Sequence, residues 1–553
     1  MFVRVKSTPN SPRKSVQICE AVRRGDKVSQ TIVRHVGVAE TEAELEKLKD
    51  LAEVIKERLK EERSQNLPLF APEALVSKST RRKERAKLLV NLAGLREEQR
   101  VIEGISDVLG ALYEQLGFDE VFDRTPLGRS RAYTLKVCVL ARLAKPSSKL
   151  RTAALLEDDY GVKLPVGRIY RMMDRLAGRT ERVQEIAKEA ALAVLKKKVD
   201  ILLYDVTTLY FESQREDELR RFGYGKDGKV NEVQVVLALA TTEEGLPLGY
   251  HLFHGATWEG HTLRETLKSF AGRYQIKRII CVADRAMLSE ENLKWIEAQG
   301  WQYVVSMRLR SLSQEWKEKI LAEFPPAQPI SEQPVVVVRE WQYGPARRLV
   351  VSYSSERHRK DAFDRERLLQ KVNKLLSGKT EASPEKLISN RGVRRFLRSA
   401  EQGKVVLDQT KIEQDKYWDG LYGVISNCSL PKEDLLTLYK GLWQIESAFR
   451  LNKHDLKIRP VFHWTPARIE AHVAICFIAY AVAKHAEYRV GLQYEKLSFE
   501  FIRNELLAVQ ASILVDTATK KRYLLPSNMS VAAKKLYQCF GLRRSCVPCL
   551  MPK

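Results

Sequence analysis

The chain has 553 residues and carries 94 Lys+Arg against 70 Asp+Glu, a formal net charge of +24, with 44% hydrophobic residues. That hydrophobic share excludes wholesale disorder, and the length suits about three or four domains. The excess of base points to a polyanionic partner, nucleic acid foremost, with a merely solvated basic surface as the plainer alternative.

The opening stretch "MFVRVKSTPN" is polar and basic with no apolar run behind it, so it reads as no secretory leader, and a cytoplasmic, nucleoid-associated protein is expected. "KSVQICEAVRR" and "GDKVSQTIVRHVG" alternate apolar and polar residues around a Gly-Asp turn, which predicts a two-stranded hairpin. From Thr41, "TEAELEKLKDLAEVIKERLKEE" has helical spacing, with Thr41 as N-cap and Glu44 three residues on. A polar linker rich in Ser, Lys and Arg closes this first region, residues 1–95.

Residues 96–198 read as a helical DNA-binding region. Two of its helices are separated by a Gly–Pro turn, and the second, Val166 to Leu176, carries Arg168, Arg171 and Arg175. It suits either the groove-reading helix of a helix-turn-helix or an ordinary amphipathic helix.

The pattern changes at residue 199. "VDILLYDVTTLYFES", "VNEVQVVLALATT" and "LPLGYHLFHG" predict three antiparallel strands. A helix over "GHTLRETLKSFAGRY", the continuously apolar strand "KRIICVADRAM", a Ser-capped helix over "SEENLKWIEAQG" and the strand "WQYVVSMR" follow. That order is the order of an α/β, ribonuclease H-like core, whose first part spans 199–309. Residues 310–432 hold four more strand patterns and a highly charged helix from Ser355 to Leu376, and read as a separate β-rich insertion. Residues 433–485 complete the core. They include the apolar run Ala471 to Lys484, which is too short to span a bilayer, carries His472 and reads as a buried helix; no membrane partner is expected. Residues 486–553 read as a polar, helical C-terminal region. Its Cys546 and Cys549 form a lone C-x-x-C with no second ligand pair, and the other cysteines are scattered, as reduced core thiols would be.

Three acids stand out. Asp205 lies on one face of an apolar strand with Ile201, Leu203 and Thr207, where a carboxylate is costly unless cations hold it ionised. Asp284 ends the run "IICVAD", in the strand that neighbours the first in a ribonuclease H-like sheet. Such hard oxygen donors suit Mg²⁺. The stretch "LYKGLWQIESAFRLNKHDLKIRP", Leu438 to Pro460, reads as a single helix with two stripes. Leu435, Leu438, Leu442, Ile445 and Phe449 form a core stripe; Tyr439, Trp443, Glu446, Arg450 and Lys453 form a functional one, in which Glu446 is the third acid. Arg450 there offers a forked guanidinium to a phosphate. His251, His254 and His261 lack clean metal-ligand spacing and suit loop or DNA contacts.

"YDVTTLYFES", "CVADRAMLSEENL" and "YKGLWQIESAFRLNKHDLKIRPVFHW" together resemble the bacterial insertion-sequence DDE transposases, in the subgroup with a strand-rich insertion before the final Glu. The subgroup's last motif, Tyr-x2-Arg-x3-Glu-x6-Lys, is matched at Tyr439, Glu446 and Lys453, with Leu442 where Arg is frequent. The resemblance implies two Mg²⁺ ions (Mn²⁺ substituting), with Asp205 bridging them and Asp284 and Glu446 holding one each. It implies nicking of terminal inverted repeats, transfer of the freed 3′-OH to target DNA, end-phosphate contacts by Tyr439 and Lys453, and a homodimer in the synaptic complex. A metal-dependent nuclease without strand transfer and a DNA-binding protein without catalysis are the alternatives; three intact acids oppose the second.

Overall fold

The computed structural model of the chain describes residues 2–7, 14–24, 27–39, parts of 45–56, 90–195, 201–211, 216–222, 233–257, 259–274, 280–283, 289–324, 335–376, 395–399, 405–459 and 461–551. Residues 1–89 and 90–553 are two compact units.

In the first unit, β1 (Phe2–Ser7), β2 (Lys14–Arg24) and β3 (Lys27–Ala39) pair antiparallel in that order. The expected hairpin is β2–β3. β1 is an addition, and its register runs from Phe2↔Cys19 to Ser7↔Lys14. Val16 and Ile18 pack with Leu45 and Ala52 of the following helical stretch into a small core. Thr41 and the polar linker lie outside the described residues.

The second unit starts with β4 (Leu95–Ile102) and the helices α1 (Gly110–Gln115), α2 (Pro126–Ala144), α3 (Lys149–Tyr160), α4 (Val166–Leu176) and α5 (Thr180–Leu195). Caps set the boundaries. The Thr125 hydroxyl accepts from the Gly128 N–H and the Ser148 hydroxyl from the Arg151 N–H. The predicted core then follows in order: β5 (Ile201–Tyr210), β6 (Arg221–Phe222), β7 (Val233–Thr241), β8 (Pro247–His254), α6 (Glu259–Tyr274), β9 (Ile280–Ala283), α7 (Glu290–Ala298) and β10 (Gln302–Met307). β5 runs antiparallel to β7 and parallel to β9, as the strand order requires. Strand alternation sorts the side chains. Leu202, Tyr204 and Val206 join the cluster that also holds Leu263, Leu267 and Phe270 of α6. Leu203 and Leu209 face the opposite cluster, and Asp205 shares their face.

The stretch 310–432 differs from its expectation. α8 (Gln314–Glu323), β11 (Val336–Gln342), β12 (Arg348–Ser354), α9 (Ser355–Leu376), β13 (Leu397–Ser399), β14 (Val405–Leu407), α10 (Gln409–Lys416) and β15 (Leu421–Ser426) are present. The strands do not form a separate sheet, however. The order β11-β12-β15-β10-β9-β5-β7-β6, with β8 on β7, is one nine-stranded sheet, and among the described strands of 310–432 only β13 and β14 pair apart from it. The reason is the open edge of β10, whose backbone groups β15 satisfies from Val304↔Ser426 to Met307↔Gly423. Arg347, between β11 and β12, adds a side-chain tie, bonding Glu297 of α7 at 2.7 Å and Glu290 at 2.8 Å. This guanidinium holds the Glu297 carboxyl below its usual range.

α11 (Lys432–Lys440), α12 (Trp443–Arg450) and α13 (Pro466–Gln493) follow. α13 is long and apolar enough to cross a bilayer, yet 78% of its most apolar window is buried inside the protein. It is the core helix expected, longer than its apolar run. Leu135 of α2, Ile169 of α4 and Val183 of α5 share its cluster, so the helices of 96–198 are built onto the same core. The C-terminal region is not all helical either. Beyond α14 (Phe499–Leu507), β16 (Gln510–Asp516), β17 (Arg522–Pro526) and β18 (Cys549–Leu550) join β4 in a four-stranded sheet, with α15 (Val531–Cys539) between the last two. β16 and β17 are half-exposed and short, and on its other edge β16 pairs with β4, more than 400 residues away in sequence.

Candidate active site

Asp205 sits mid-strand in β5, half-buried, on the face against which α12 packs. Its Oδ1 accepts a hydrogen bond from the Val206 N–H at 2.7 Å. That bond offsets part of the cost of holding a carboxylate among Leu203 and Leu209.

Glu446 comes from the helices. The segment expected as a single helix is two, α11 and α12, joined at Gly441 and Leu442 by tighter bonds: Leu442 N–H to the Tyr439 carbonyl at 3.0 Å and Gln444 N–H to the Gly441 carbonyl at 2.9 Å. A Cβ at Gly441 would stand 2.9 Å from the Leu438 carbonyl oxygen, so glycine permits the close turn. Past Arg450 the coil widens into a π turn over Leu451–Asp455. Both stripes survive the break. Leu435, Leu438, Leu442, Ile445 and Phe449 are buried. Trp443, Glu446 and Arg450 are exposed, and Tyr439 and Lys453 half-buried.

A cavity of about 830 Å³ joins the two elements. Asp205, Tyr439, Lys440, Trp443 and Glu446 line one side, and Ser352, Glu356, Arg357, Lys360, Asp361 and Tyr422 the other. The structure thus brings Asp205, Glu446 and Tyr439 together. Arg450 and Lys453 do not line the cavity; they continue the same helical face beyond it. Asp284 lies outside the described residues. Leu203 is paired with Val282 in the parallel β5–β9 ladder; in sequence Asp205 follows Leu203 by two residues, and Asp284 follows Val282 by two.

Arg357, Lys360 and Tyr422 escaped the reading of the sequence. The helix bearing Arg357 and Lys360 is charged along its whole length, and nothing in its spacing singles out two cations. Only the extension of the sheet through β15 and β12 brings α9 to the acids.

The segment after Lys453 is pinned from below. Buried Arg142 of α2 donates to the carbonyls of Leu456 at 3.0 Å and Lys457 at 3.1 Å, and His472 Nε2 donates to the Ile458 carbonyl at 3.0 Å. The second of these bonds steadies Lys457 at φ 45°, a backbone region that non-glycine residues rarely hold. His472, the polar residue within the apolar run, is therefore a structural hydrogen-bonding residue. Burial keeps its imidazole well below the ordinary pKa, hence neutral.

Other candidates are not drawn in. His251 and His254 lie on β8 rather than a loop, and the His251 ring packs 4.3 Å from Phe253. Cys546 and Cys549 are exposed free thiols. Among the described residues no three His, Cys, Asp or Glu side chains gather as a metal cage. A second cavity, about 980 Å³ between β4 and α3, is lined by Glu98, Glu103, Asp107, Glu157 and Asp158 against Lys163 and Arg522, an excess of acid that suits a polyanion poorly.

A mixed α/β sheet in this strand order, with the carboxylates of a central strand and of a covering helix lining one cavity, is consistent with a ribonuclease H-like core. Residues 196–482, more than half of the chain, match the model of the transposase DDE domain, and the chain belongs to that family. Among solved structures there is a likeness to the "crystal structure of a pre-cleavage Mos1 transpososome", at 13% identity and a TM-score of 0.14, covering 31% of this chain and 58% of that one. A comparison with curated proteins gives no match.

Proposed function

We propose that the protein binds the terminal inverted repeats of its element, nicks their ends by hydrolysis and joins the freed 3′-OH ends to target DNA, by a cut-and-paste route. The observation that carries this reading is the shared cavity of Asp205 and Glu446, edged by Lys440, Arg357 and Lys360. Asp205, Asp284 and Glu446 would hold two Mg²⁺ ions, with Mn²⁺ as a substitute. The donors suit such ions: they are hard carboxylate oxygens, and Glu446 is exposed to the cavity. When bound, the ions supply activation of the attacking oxygen and charge stabilisation of the leaving one.

The chain's own residues then orient the DNA. Tyr439 at the cavity and Arg450 and Lys453 beyond it follow the strand's phosphates, contacts that position without reading sequence. In the first reaction water attacks the phosphorus at the element's end, and the broken P–O bond leaves a 3′-OH. In the second, that 3′ oxygen attacks a target phosphodiester, which expels its own 3′ oxygen. End recognition belongs to the first 198 residues, and two copies act together on paired ends. The reactions take place in the cytoplasm, at the nucleoid.

The test uses duplexes taken from the DNA flanking the coding sequence, paired and unpaired, with and without Mg²⁺. Mg²⁺-dependent nicks followed by joined end–target molecules are expected. Nicks that never join would make the protein a nuclease, and specific binding without any cut would make it a DNA-binding protein.

A further inference from the structure

We propose that Arg357, on α9, is a DNA-phosphate-binding residue of the candidate active-site cavity; the idea deepens the transposase reading above and rests on it. The helical stripe opposite supplies the cavity with no guanidinium of its own. Leu442 is 8% exposed and part of the core, and Arg450 lies outside the lining. Arg357 is the arginine that does line it.

Its placement is built rather than incidental. The guanidinium carbon lies 4.8 Å from the centroid of the Tyr422 ring, and that ring packs 5.4 Å from Tyr439. A cation over an aromatic face is held in orientation while its N–H edges remain available. Position along the chain is fixed one turn later, where Asp361 accepts the Gly420 N–H at 3.0 Å and so ties α9 to the turn entering β15. Gly420 itself stands at φ 77°, and a Cβ there would meet the Ser354 carbonyl oxygen at 2.7 Å, so the turn admits glycine and little else.

The Arg357 side chain is 48% exposed, and its ion-pair partner is Asp361, at 3.6 Å, whose Oδ2 already serves Gly420. Among the described residues no hydrogen bond is made by this guanidinium. An oriented fork of donors, facing the cavity of Asp205 and Glu446 beside Lys360 and Lys440, matches a phosphate oxygen pair. The ligand chemistry is thus a phosphodiester of the strand whose end enters the cavity. Lys360, exposed and flexible, adds a point charge without that geometry.

The test measures equilibrium binding of a flanking-sequence duplex to the full chain across a salt series, beside single-turnover cleavage with Mg²⁺. Arg357→Ala should lower the slope of log K against log salt by about one. It should slow cleavage about ten- to a hundredfold, the scale of a lost charge-assisted contact, while thermal melting stays at the parent value. Arg357→Lys should restore the slope and only part of the rate. Neutralising single phosphates as methylphosphonates locates the contact: at one position the loss should be clearly smaller in Arg357→Ala than in the parent. An unchanged slope, or additive losses at every phosphate, would overturn the idea and leave Arg357 as packing for Tyr422. Cleavage by an Asp205→Ala variant, or none by the parent, would instead overturn the catalytic reading, and the binding arm would still decide Arg357.

Discussion

His485 lies wholly inside the protein on α13, and among the described residues neither of its ring nitrogens has a hydrogen-bond partner. Burial pushes its pKa down to about 3. Between that value and about 6.5, the ordinary value for a histidine, the unfolded chain binds a proton that the folded chain refuses. Stability is therefore highest above the ordinary value and falls as pH drops through this window. His485→Leu should raise stability at neutral pH by about 1 kcal/mol, because it removes an unsatisfied buried imidazole. It should also flatten the acid limb by up to about 1.4 kcal/mol per pH unit. Chemical denaturation at pH 7 and pH 5 checks both, and a mutant whose pH 7 to pH 5 loss equals the parent's would show that His485 is not the proton-refusing group. Single residues were legible in the sequence where polarity breaks an apolar pattern, as at Asp205 and Glu446. Arg357 and Lys360 interrupt nothing, since the run Glu356–Asp361 that holds them is charged at five of its six positions.

At the scale of elements, the boundaries of β5, α4, α7 and α9 follow from period and caps, and the strand order of the core follows from them. Two things were out of reach of local pattern. One is pairing across long separations, which places β15 against β10 and β16 against β4. The other is the break at Gly441, which leaves the three-four stripe almost unrotated and so gives no signal in spacing. The pairing has a consequence that separates it from the simpler picture of an inserted domain. Excising residues 312–430 would strip β10 of its antiparallel partner and expose an apolar edge. The excised protein is expected to lose its cooperative melt and to aggregate. A soluble product with a parent-like melt would mean that the stretch folds as an appendage and contributes nothing to the sheet.

At the scale of the whole molecule, the division at residue 89 carries a prediction of its own. The helices of 96–198 share a core with α13, so a cut at 198 would remove part of the body that holds the site. A chain of residues 90–553 should instead melt like the parent and keep salt-dependent DNA binding, as its remaining positive charge requires. It should lose much of the preference for flanking-sequence ends over unrelated duplex, measured by competition at fixed salt. Full retention of that preference would assign end reading to the larger unit, with the exposed Arg171 and Arg175 of α4 as its first candidates.

The central claim is that one strand and one helix, far apart in sequence, converge their acids to cut DNA. Single-turnover cleavage of a flanking-sequence duplex in Mg²⁺, by the parent and by Asp205→Ala, Asp284→Ala and Glu446→Ala, tests it most directly, with binding to the same duplex measured alongside. Each variant is predicted to bind within about threefold of the parent and to cleave at least a thousandfold more slowly, about 4 kcal/mol of lost transition-state stabilisation. Cleavage at the parent rate by Asp205→Ala or Glu446→Ala would contradict the account, because the shared cavity would then not be where the phosphodiester is broken.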